Sequence, residues 1–321
     1  MPMSYLNGYT KDNIKHMERR PVTSMEYIPA KTIVTRNKRT SWFGTEYNMN
    51  IYRGCCHGCI YCDSRSDCYH IENFDQVRAK ENALEIIRND LRSKVKTGVV
   101  GTGAMSDPYN PFEKELELTR HGLELIDAYE FGVAIATKST LITRDADILQ
   151  SIREHSPVLC KITITTADDE LSKKIEPGAP ASSARFQAIA ELSEKGFFAG
   201  VLLMPVLPFL EDTEENILSI VGLAGKAGAR FIYPAFGMTL RQNQRDWYLD
   251  RLDRLFPEQK LRERYLKQFG NRYECRSPKL KQLWILFSQA CEKEGILYQM
   301  KDIVNSYKRG YTGRQLSLFD L

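Results

Sequence analysis

The sequence lacks any long hydrophobic run. Its 321 residues are 42% hydrophobic, but no apolar stretch approaches the ~20 residues that cross a bilayer. Met1 is followed by Pro2, Ser4 and Asn7 instead of a charged and then apolar segment, so no secretory signal is recognised. We therefore expect a soluble, cytoplasmic protein that has no membrane partner.

Internal repeats and low-complexity runs are also missing, and charge of one sign is not in large excess. The net charge is +4, but its distribution is uneven. Residues 1–40 hold eight Lys and Arg against three Asp and Glu, and residues 241–321 hold 17 against 10, which leaves an acidic middle. Basic ends are compatible with a polyanionic partner, and equally with solubility alone.

The middle of the chain alternates between short apolar segments and helical patterns, which predicts a parallel sheet. The predicted strands cover residues 46–52, 98–101, 131–137, 158–165, 198–204 and 230–233. The predicted helices cover residues 79–93, 116–129, 144–154, 182–195 and 213–225. Six units are too few for a closed eightfold barrel, and both a doubly wound sheet and a partial barrel fit. In either fold the site lies at the carboxyl ends of the strands.

The pattern changes after about residue 240. Segments 241–256, 259–269 and 279–293 look helical and are rich in Arg, Lys, Tyr and Trp. The last stretch contains Gly310 and Gly313 and has the composition of a flexible tail. We therefore divide the chain into a basic N-terminal segment (1–40), an α/β unit (41–240), a basic helical region (241–304) and a tail (305–321).

The cysteines are concentrated in one place. Cys55, Cys59 and Cys62 form a C-x3-C-x2-C pattern just after the first predicted strand. A reducing compartment disfavours disulfides there, and three thiolates on one loop can bind a four-iron cluster that keeps one position open. Zinc is an alternative, as are unligated thiols; a zinc site would take its fourth ligand from Cys56, His57, Cys68 or His70.

The segment Tyr52-Arg-Gly-Cys-Cys-His-Gly-Cys-Ile-Tyr-Cys62 resembles the signature loop of the radical S-adenosylmethionine (SAM) superfamily. In that family three cysteines hold a [4Fe–4S] cluster, and an electron from the cluster cleaves SAM to methionine and a 5′-deoxyadenosyl radical. The resemblance implies that Cys55, Cys59 and Cys62 are cluster ligands. It also implies a partial (β/α)6 barrel of the TIM type with a C-terminal helical extension, and a low-potential flavodoxin or ferredoxin as electron donor.

A narrower resemblance is to the spore photoproduct lyase-like branch of that superfamily. It rests on the loop from Asn50 and on motifs that follow strands two to five, among them Ser106-Asp107 and Glu176-Pro177-Gly178. The resemblance implies that SAM is contacted by Tyr61, Ser106, Asp107, Lys138, Ser139, Thr163, Thr165 and Arg185. In this scheme Tyr61 lies beside the adenine, and Arg185 contacts the carboxylate or the ribose.

The resemblance breaks at the hydrogen donor. Spore photoproduct lyases carry a cysteine after strand two, where this chain has Ala104. The run from Ser106 to Glu113 looks closer to lyase-like relatives without a known substrate. We name Tyr109 as a candidate hydrogen-atom donor and Glu113 as a candidate proton-exchanging group; packing and helix-terminal roles are the alternatives.

The chain ends in a peptide that resembles the bacterial sliding-clamp docking motif. Leu318 and Phe319 would be apolar anchors, Gln315 the polar contact, and Leu316 lies between them. With the basic region, this resemblance implies lyase-like repair or modification of DNA. The alternatives are a radical SAM enzyme for a small metabolite or protein side chain, and a zinc-containing clamp-associated binding protein.

Overall fold

The computed structural model describes residues 25–311, and within them the chain folds around one large sheet. In chain order the strands are β1 (Glu26–Ile28), β2 (Val34–Arg36), β3 (Tyr47–Met49), β4 (Tyr52–Arg53), β5 (Arg78–Lys80), β6 (Val99–Thr102), β7 (Gly132–Thr137), β8 (Val158–Thr163), β9 (Phe198–Leu203), β10 (Phe231–Pro234), β11 (Gly237–Thr239) and β12 (Glu274–Arg276). The large sheet has the order β10-β9-β8-β7-β6-β3-β2. All of its neighbours are parallel except β2, which runs antiparallel to β3.

Helices connect the parallel strands and extend beyond them. In chain order they are α1 (Ala83–Arg92), α2 (Glu113–Leu116), α3 (Leu118–Ala128), α4 (Ala146–His155), α5 (Asp169–Ile175), α6 (Ser182–Glu194), α7 (Glu214–Lys226), α8 (Gln242–Leu255), α9 (Leu261–Phe269), α10 (Leu280–Glu294) and α11 (Met300–Tyr307). Across residues 25–311, no helix is both long and apolar enough to cross a membrane.

The arrangement of the helices decides between the two architectures that the sequence allows. Cys160 and Ile162 of β8 share one hydrophobic cluster with residues of α1, α3, α4, α6 and α7, so these connecting helices cover a single face of the sheet. Leu159 points to the other face, where it clusters with Phe43 and Tyr307. A doubly wound sheet has helices on both faces. The fold is therefore a partial barrel of six parallel strands, and that prediction is confirmed.

Two local predictions around the first strand are wrong. The predicted strand 46–52 divides into β3 and β4, and Tyr52 pairs with Ala79 in a small separate sheet formed by β1, β5 and β4. The predicted helix 79–93 begins only at Ala83, because residues 78–80 are used by β5 and Asn82 adopts a left-handed conformation with φ 51°.

The predicted helices of the C-terminal region appear as α8, α9 and α10. Helix α11 runs across the predicted boundary at residue 305, and the Tyr307 hydroxyl donates a 2.6 Å hydrogen bond to the Phe43 carbonyl. Residues 305–307 are thus helical, and α11 packs on the inner face of the sheet. The clamp-like peptide and residues 1–24 lie outside the described residues.

The C-terminal helices also cover the cysteine loop. Cys59, Ile60 and Tyr61 share a hydrophobic cluster with Tyr248 of α8 and Tyr265 of α9. The Gln244 side chain donates a 3.1 Å hydrogen bond to the carbonyl of Tyr61. The C-terminal region is therefore part of the wall around that loop.

Candidate active site

A cavity of about 1090 Å³ opens along the inner face of the sheet and at the carboxyl ends of its strands. This is larger than the ~300–1,000 Å³ typical of a site for one drug-sized ligand. Eight of the predicted site residues line it: Cys55, Cys59, Tyr61, Cys62, Ser106, Asp107, Lys138 and Thr163. Five do not: Ser139, Thr165, Arg185, Tyr109 and Glu113.

The start of the cysteine loop, at Gly54 and Cys55, is fixed to the rest of the fold by hydrogen bonds to its backbone. The amide of Cys55 donates to the carbonyl of Phe74 at 2.9 Å, and the Ser106 hydroxyl donates to the carbonyl of Gly54. Gly54 has φ +80°, and a Cβ there would lie 2.4 Å from the Gln76 carbonyl oxygen. Only glycine fits this turn without strain. Ser106 therefore anchors the loop instead of presenting a free hydroxyl.

The turn at residues 175–178 supports the next part of the cysteine loop, at residues 56–60. The amide of Ile60 donates to the carbonyl of Ile175, and the amide of Gly178 donates to the carbonyl of His57, both at 2.9 Å. A Cβ at Gly178 would lie 2.4 Å from the Cys56 carbonyl oxygen. The Glu-Pro-Gly motif thus permits a close approach between two backbones that are more than 100 positions apart in sequence.

The three thiols of the motif lie close enough to influence one another. Burial raises the pKa of Cys55 to about 12, with Asp107 adding to the effect. Burial likewise raises the pKa of Cys59 and of Cys62, while the Lys138 ammonium opposes both shifts. Three thiols thus line one cavity beside a cation. As thiolates they are ligands for the metals that prefer sulfur.

The two metal centres that the sequence allows make different demands on the thiols. Structural zinc needs four ligands that converge on one ion, and residues 25–311 contain no group of three His, Cys, Asp or Glu side chains able to hold a single ion. A four-iron cluster makes a different demand, since each thiolate binds its own iron. Three thiols around a shared cavity fit that demand.

Lys138 follows β7 and faces the cysteine loop. Its Nζ lies 3.9 Å from Glu176 Oε1 and 5.5 Å from the centre of the Tyr61 ring, and the Tyr61 hydroxyl donates to the same carboxylate. Burial alone would lower the pKa of Lys138, but Cys59 and Glu176 outweigh it and raise that pKa. Lys138 is therefore a cation that lies next to the thiols, and its predicted contact with SAM stays a prediction.

Arg185 is placed differently from the prediction. It is fully buried outside the cavity, forms a 2.5 Å ion pair with Glu176, and donates to the carbonyl of Thr163 at 2.9 Å and that of Pro180 at 2.7 Å. Although burial acts to raise the pKa of Glu176, Arg185 and Lys138 hold it below its ordinary value. Arg185 is thus a positioning residue for Glu176 and for the strand end at Thr163, and its predicted contact with SAM stays a prediction.

Two predicted hydroxyl ligands are also used inside the fold. The Ser139 hydroxyl accepts from the amide of Leu141 at 3.3 Å and caps a short helical turn. The Thr165 hydroxyl donates to Glu211 at 2.6 Å in a fully buried pair. Neither side chain lines the cavity.

Asp107 holds the ends of two neighbouring strands together. Its carboxylate accepts from the hydroxyl of Thr137 at 2.6 Å and from the amide of Lys138 at 2.8 Å, and it lies 3.4 Å from His57 Nδ1. Burial lowers the pKa of His57 even though Asp107 opposes the shift. Asp107 thus sets the position of Lys138 through the backbone, in addition to lining the cavity.

Tyr109 and Glu113 form a buried polar cluster behind the strand ends. Glu113 is fully buried, accepts from the Tyr52 hydroxyl and from the amide of Thr119, and has its pKa raised by burial to about 7. Burial also raises the pKa of Tyr109, with a further contribution from Asp145. Neither side chain lines the cavity, so the structure gives no support to the predicted hydrogen-donor and proton-exchange roles, which stay predictions.

Lys161 is a cavity-lining residue that the sequence analysis does not single out. Lys161 lies in the middle of β8, is 2% exposed, and points to the inner face of the sheet. The signal was present in the sequence, since it is a single lysine within the otherwise apolar and small residues of segment 158–163.

The site can now be compared with those of known proteins. The sequence profile of the Radical SAM superfamily matches residues 49–221, which is more than half of the chain. The chain therefore belongs to the radical SAM superfamily, whose members use a [4Fe–4S] cluster and SAM.

Individual relatives agree with that membership. An uncharacterized protein of Mycobacterium bovis is 32% identical over 231 residues, covering 70% of this chain and 68% of the relative. The Radical SAM Nalpha-GlyT isomerase of Pseudomonas phage M6 is 26% identical over 155 residues, covering 48% of this chain and 32% of the relative. Spore photoproduct lyase complexed with dinucleoside spore photoproduct superposes with a TM-score of 0.60 at 14% identity, over 84% of this chain and 80% of that one. The last similarity shows a shared fold.

Proposed function

We propose that this protein is a radical SAM enzyme of the lyase-like type, in which Cys55, Cys59 and Cys62 hold the cluster. The observation that carries the proposal is the cysteine loop itself. It places three thiols on one cavity, beside the Lys138 cation and at the carboxyl ends of the barrel strands.

The cluster, when bound, supplies the electron that cleaves SAM reductively to methionine and a 5′-deoxyadenosyl radical. The chain's own residues supply binding and exclusion of water. Lys138 would bind the SAM carboxylate as a charge-assisted partner, and Tyr61 and Thr163 would border the bound molecule. The C-terminal helices cover the loop, so that the reactive species would form away from bulk solvent.

DNA, in a repair or modification reaction, is the substrate that we place first. The support is the basic C-terminal region, the clamp-like peptide in the sequence, and a fold neighbour that binds a dinucleoside photoproduct. Some of the region's side chains have other tasks: Tyr248 and Tyr265 are buried, and Arg262 pairs with Asp250 and Asp253. The remaining exposed cations are those available to phosphates.

The partners and location follow from the same chemistry. A low-potential donor of the flavodoxin or ferredoxin type would reduce the cluster, and the sliding clamp would bind residues 315–319. A reducing cytoplasm would keep the thiols and the cluster intact.

The direct test is anaerobic reconstitution of the full chain with iron and sulfide. We expect a brown protein with about four irons per chain, characteristic of one [4Fe–4S] centre. Added SAM and a reductant should yield 5′-deoxyadenosine, measured by liquid chromatography and mass spectrometry. Colourless protein without iron and sulfide would contradict the proposal. Parallel reactions with undamaged and ultraviolet-damaged DNA test the substrate. Formation of 5′-deoxyadenosine without any change in either DNA would favour a small metabolite or protein side chain.

A further inference from the structure

Lys161 is the buried charge for which the catalytic scheme has no task. Its side chain is 2% exposed and lines the cavity. Its Nζ lies 4.7 Å from the centre of the Phe43 ring, and within residues 25–311 its ammonium has no hydrogen-bond or ion-pair partner. Buried lysines are almost always paired, so a partner that binds from the cavity is expected.

The surroundings of Lys161 leave room for such a partner. In the sheet it lies beside Ala136 of β7 and Gly200 of β9, the two small neighbours in register with it. Gly101 and Gly103 of the next strand and loop also line the cavity. Thr163, at the strand end, is two residues further along, so Lys161 lies roughly 7 Å deeper than the rim of the site.

The charges around the cavity favour an anion. Its acidic side chains are already engaged: Asp63 with Arg241, Asp107 with His57, and Glu274 with Arg276. Its cations are not all engaged, because Lys38 and Arg39 line the same cavity and have no acidic partner among the described residues. Lys161 is buried, whereas Lys38 and Arg39 are exposed, so unpaired cations lie both inside the cavity and near its rim.

We infer that Lys161 anchors an oxyanion of the substrate, either a phosphate or a carboxylate, in the inner part of the cavity. The ammonium would donate charge-assisted hydrogen bonds to that group, while Lys38 and Arg39 would face any further negative charge near the rim. That the anion belongs to a substrate rests on the proposed function, but the anion site itself does not.

A purely structural role would make a different demand. A side chain that only fills space beside Phe43 needs length and apolar contact, which methionine supplies without a buried charge. Lys161→Met therefore removes the charge and retains the packing, and Lys161→Arg retains the charge. Lys226→Met, at an exposed helix position far from the cavity lining, controls for the loss of a lysine.

The test measures binding of radiolabelled inorganic phosphate, and separately of acetate, to the reconstituted, SAM-saturated protein by equilibrium dialysis. We expect Lys161→Met to weaken binding of at least one probe about tenfold or more, since a hydrogen bond to a charged group contributes at that level. Lys161→Arg should retain most of the binding, and Lys226→Met should match the wild type. Circular dichroism and thermal melting establish that each variant is folded.

Competition by a short single-stranded oligodeoxynucleotide identifies the source of the oxyanion. If it displaces the bound probe, the site takes a nucleic-acid phosphate; if it does not, the site takes a small-molecule anion, and either result supports the inference. A folded Lys161→Met that binds both probes as the wild type does, or a wild type that binds neither, would overturn it. Formation of 5′-deoxyadenosine by the wild type is scored separately, so failure of the proposed function cannot be mistaken for failure of the anion site.

Discussion

At the cysteine end of the cavity the charged side chains are paired, whereas at its inner end Lys161 is not. Glu176 joins Arg185 and Lys138 beneath the cysteine loop, and Asp107 joins two strand ends to His57. Such networks fix the positions of groups that would hold a cofactor. An unpaired buried cation does the opposite, since it costs stability and awaits a ligand. The difference separates a framework that is complete in the protein alone from a binding group that is not.

The largest effect is expected on activity, when one thiol of the cysteine motif is removed. Cys59→Ala should lower 5′-deoxyadenosine formation by at least about 100-fold, because changes in residues that merely support metal ligands already cost up to that much. Cys56→Ala is the matched control, being adjacent to the motif but absent from the cavity wall. Iron analysis of both variants after anaerobic reconstitution makes the comparison. Equal iron in the two would show that the motif does not hold the cluster.

The next largest effect is expected on stability, when the buried ion pair between Arg185 and Glu176 is broken. Arg185→Met should lower the free energy of unfolding by about 3–5 kcal/mol, since it leaves Glu176 as a buried charge with weaker compensation. Lys173→Ala removes an exposed partner of Glu170 and should change stability very little. Urea denaturation measures both. A small effect at Arg185 would contradict its placement as a positioning residue.

Lys161→Met should change stability in the opposite direction. We expect a gain of about 1–3 kcal/mol near neutral pH, as the variant no longer buries a charged group. Burial lowers the pKa of Lys161 from 10.5 to about 7, so the unfolded wild type binds more protons between those values and its stability rises with pH. The gain should therefore shrink from pH 7 towards pH 10.5. Denaturation of both proteins at several pH values tests this, and a constant difference would contradict it.

The smallest effect is expected at Tyr109. Because the side chain is buried outside the cavity, Tyr109→Phe should leave the rate of 5′-deoxyadenosine formation near that of the wild type and cost about 1 kcal/mol of stability. Anaerobic rate measurements check the first expectation. A severe loss of SAM cleavage in a folded variant would restore Tyr109 as a catalytic candidate.

Much of the fold could be predicted because its signals are local. The six parallel strands are short, apolar runs buried on both faces, and helices of ten or more residues separate them. Helix α5 was missed because seven residues hold too few turns for a periodic pattern, although Asp168 caps it. The predicted helix includes residues 79 and 80 because the true helix begins at Ala83, only three residues after β5 ends.

The site was harder to predict because chemistry depends on which way a side chain points. Arg185 and Lys138 are both cations near strand ends, yet one is closed off by Glu176 and the other faces the thiols. That distinction depends on packing between segments far apart in sequence. Lys161 could not be predicted for the same reason. The room beside its side chain comes from small residues on the two adjacent strands, which are distant in sequence.

The cluster shared by Cys59, Tyr61, Tyr248 and Tyr265 has a practical consequence for protein production. A chain shortened after Leu240 would keep every residue of the signature loop and the whole of the superfamily match. It would nevertheless expose the outer side of that loop and leave the Tyr61 carbonyl without its Gln244 donor. The segment that resembles a separable appendage in the sequence thus forms one wall of the cysteine loop, and an expression boundary belongs beyond helix α11.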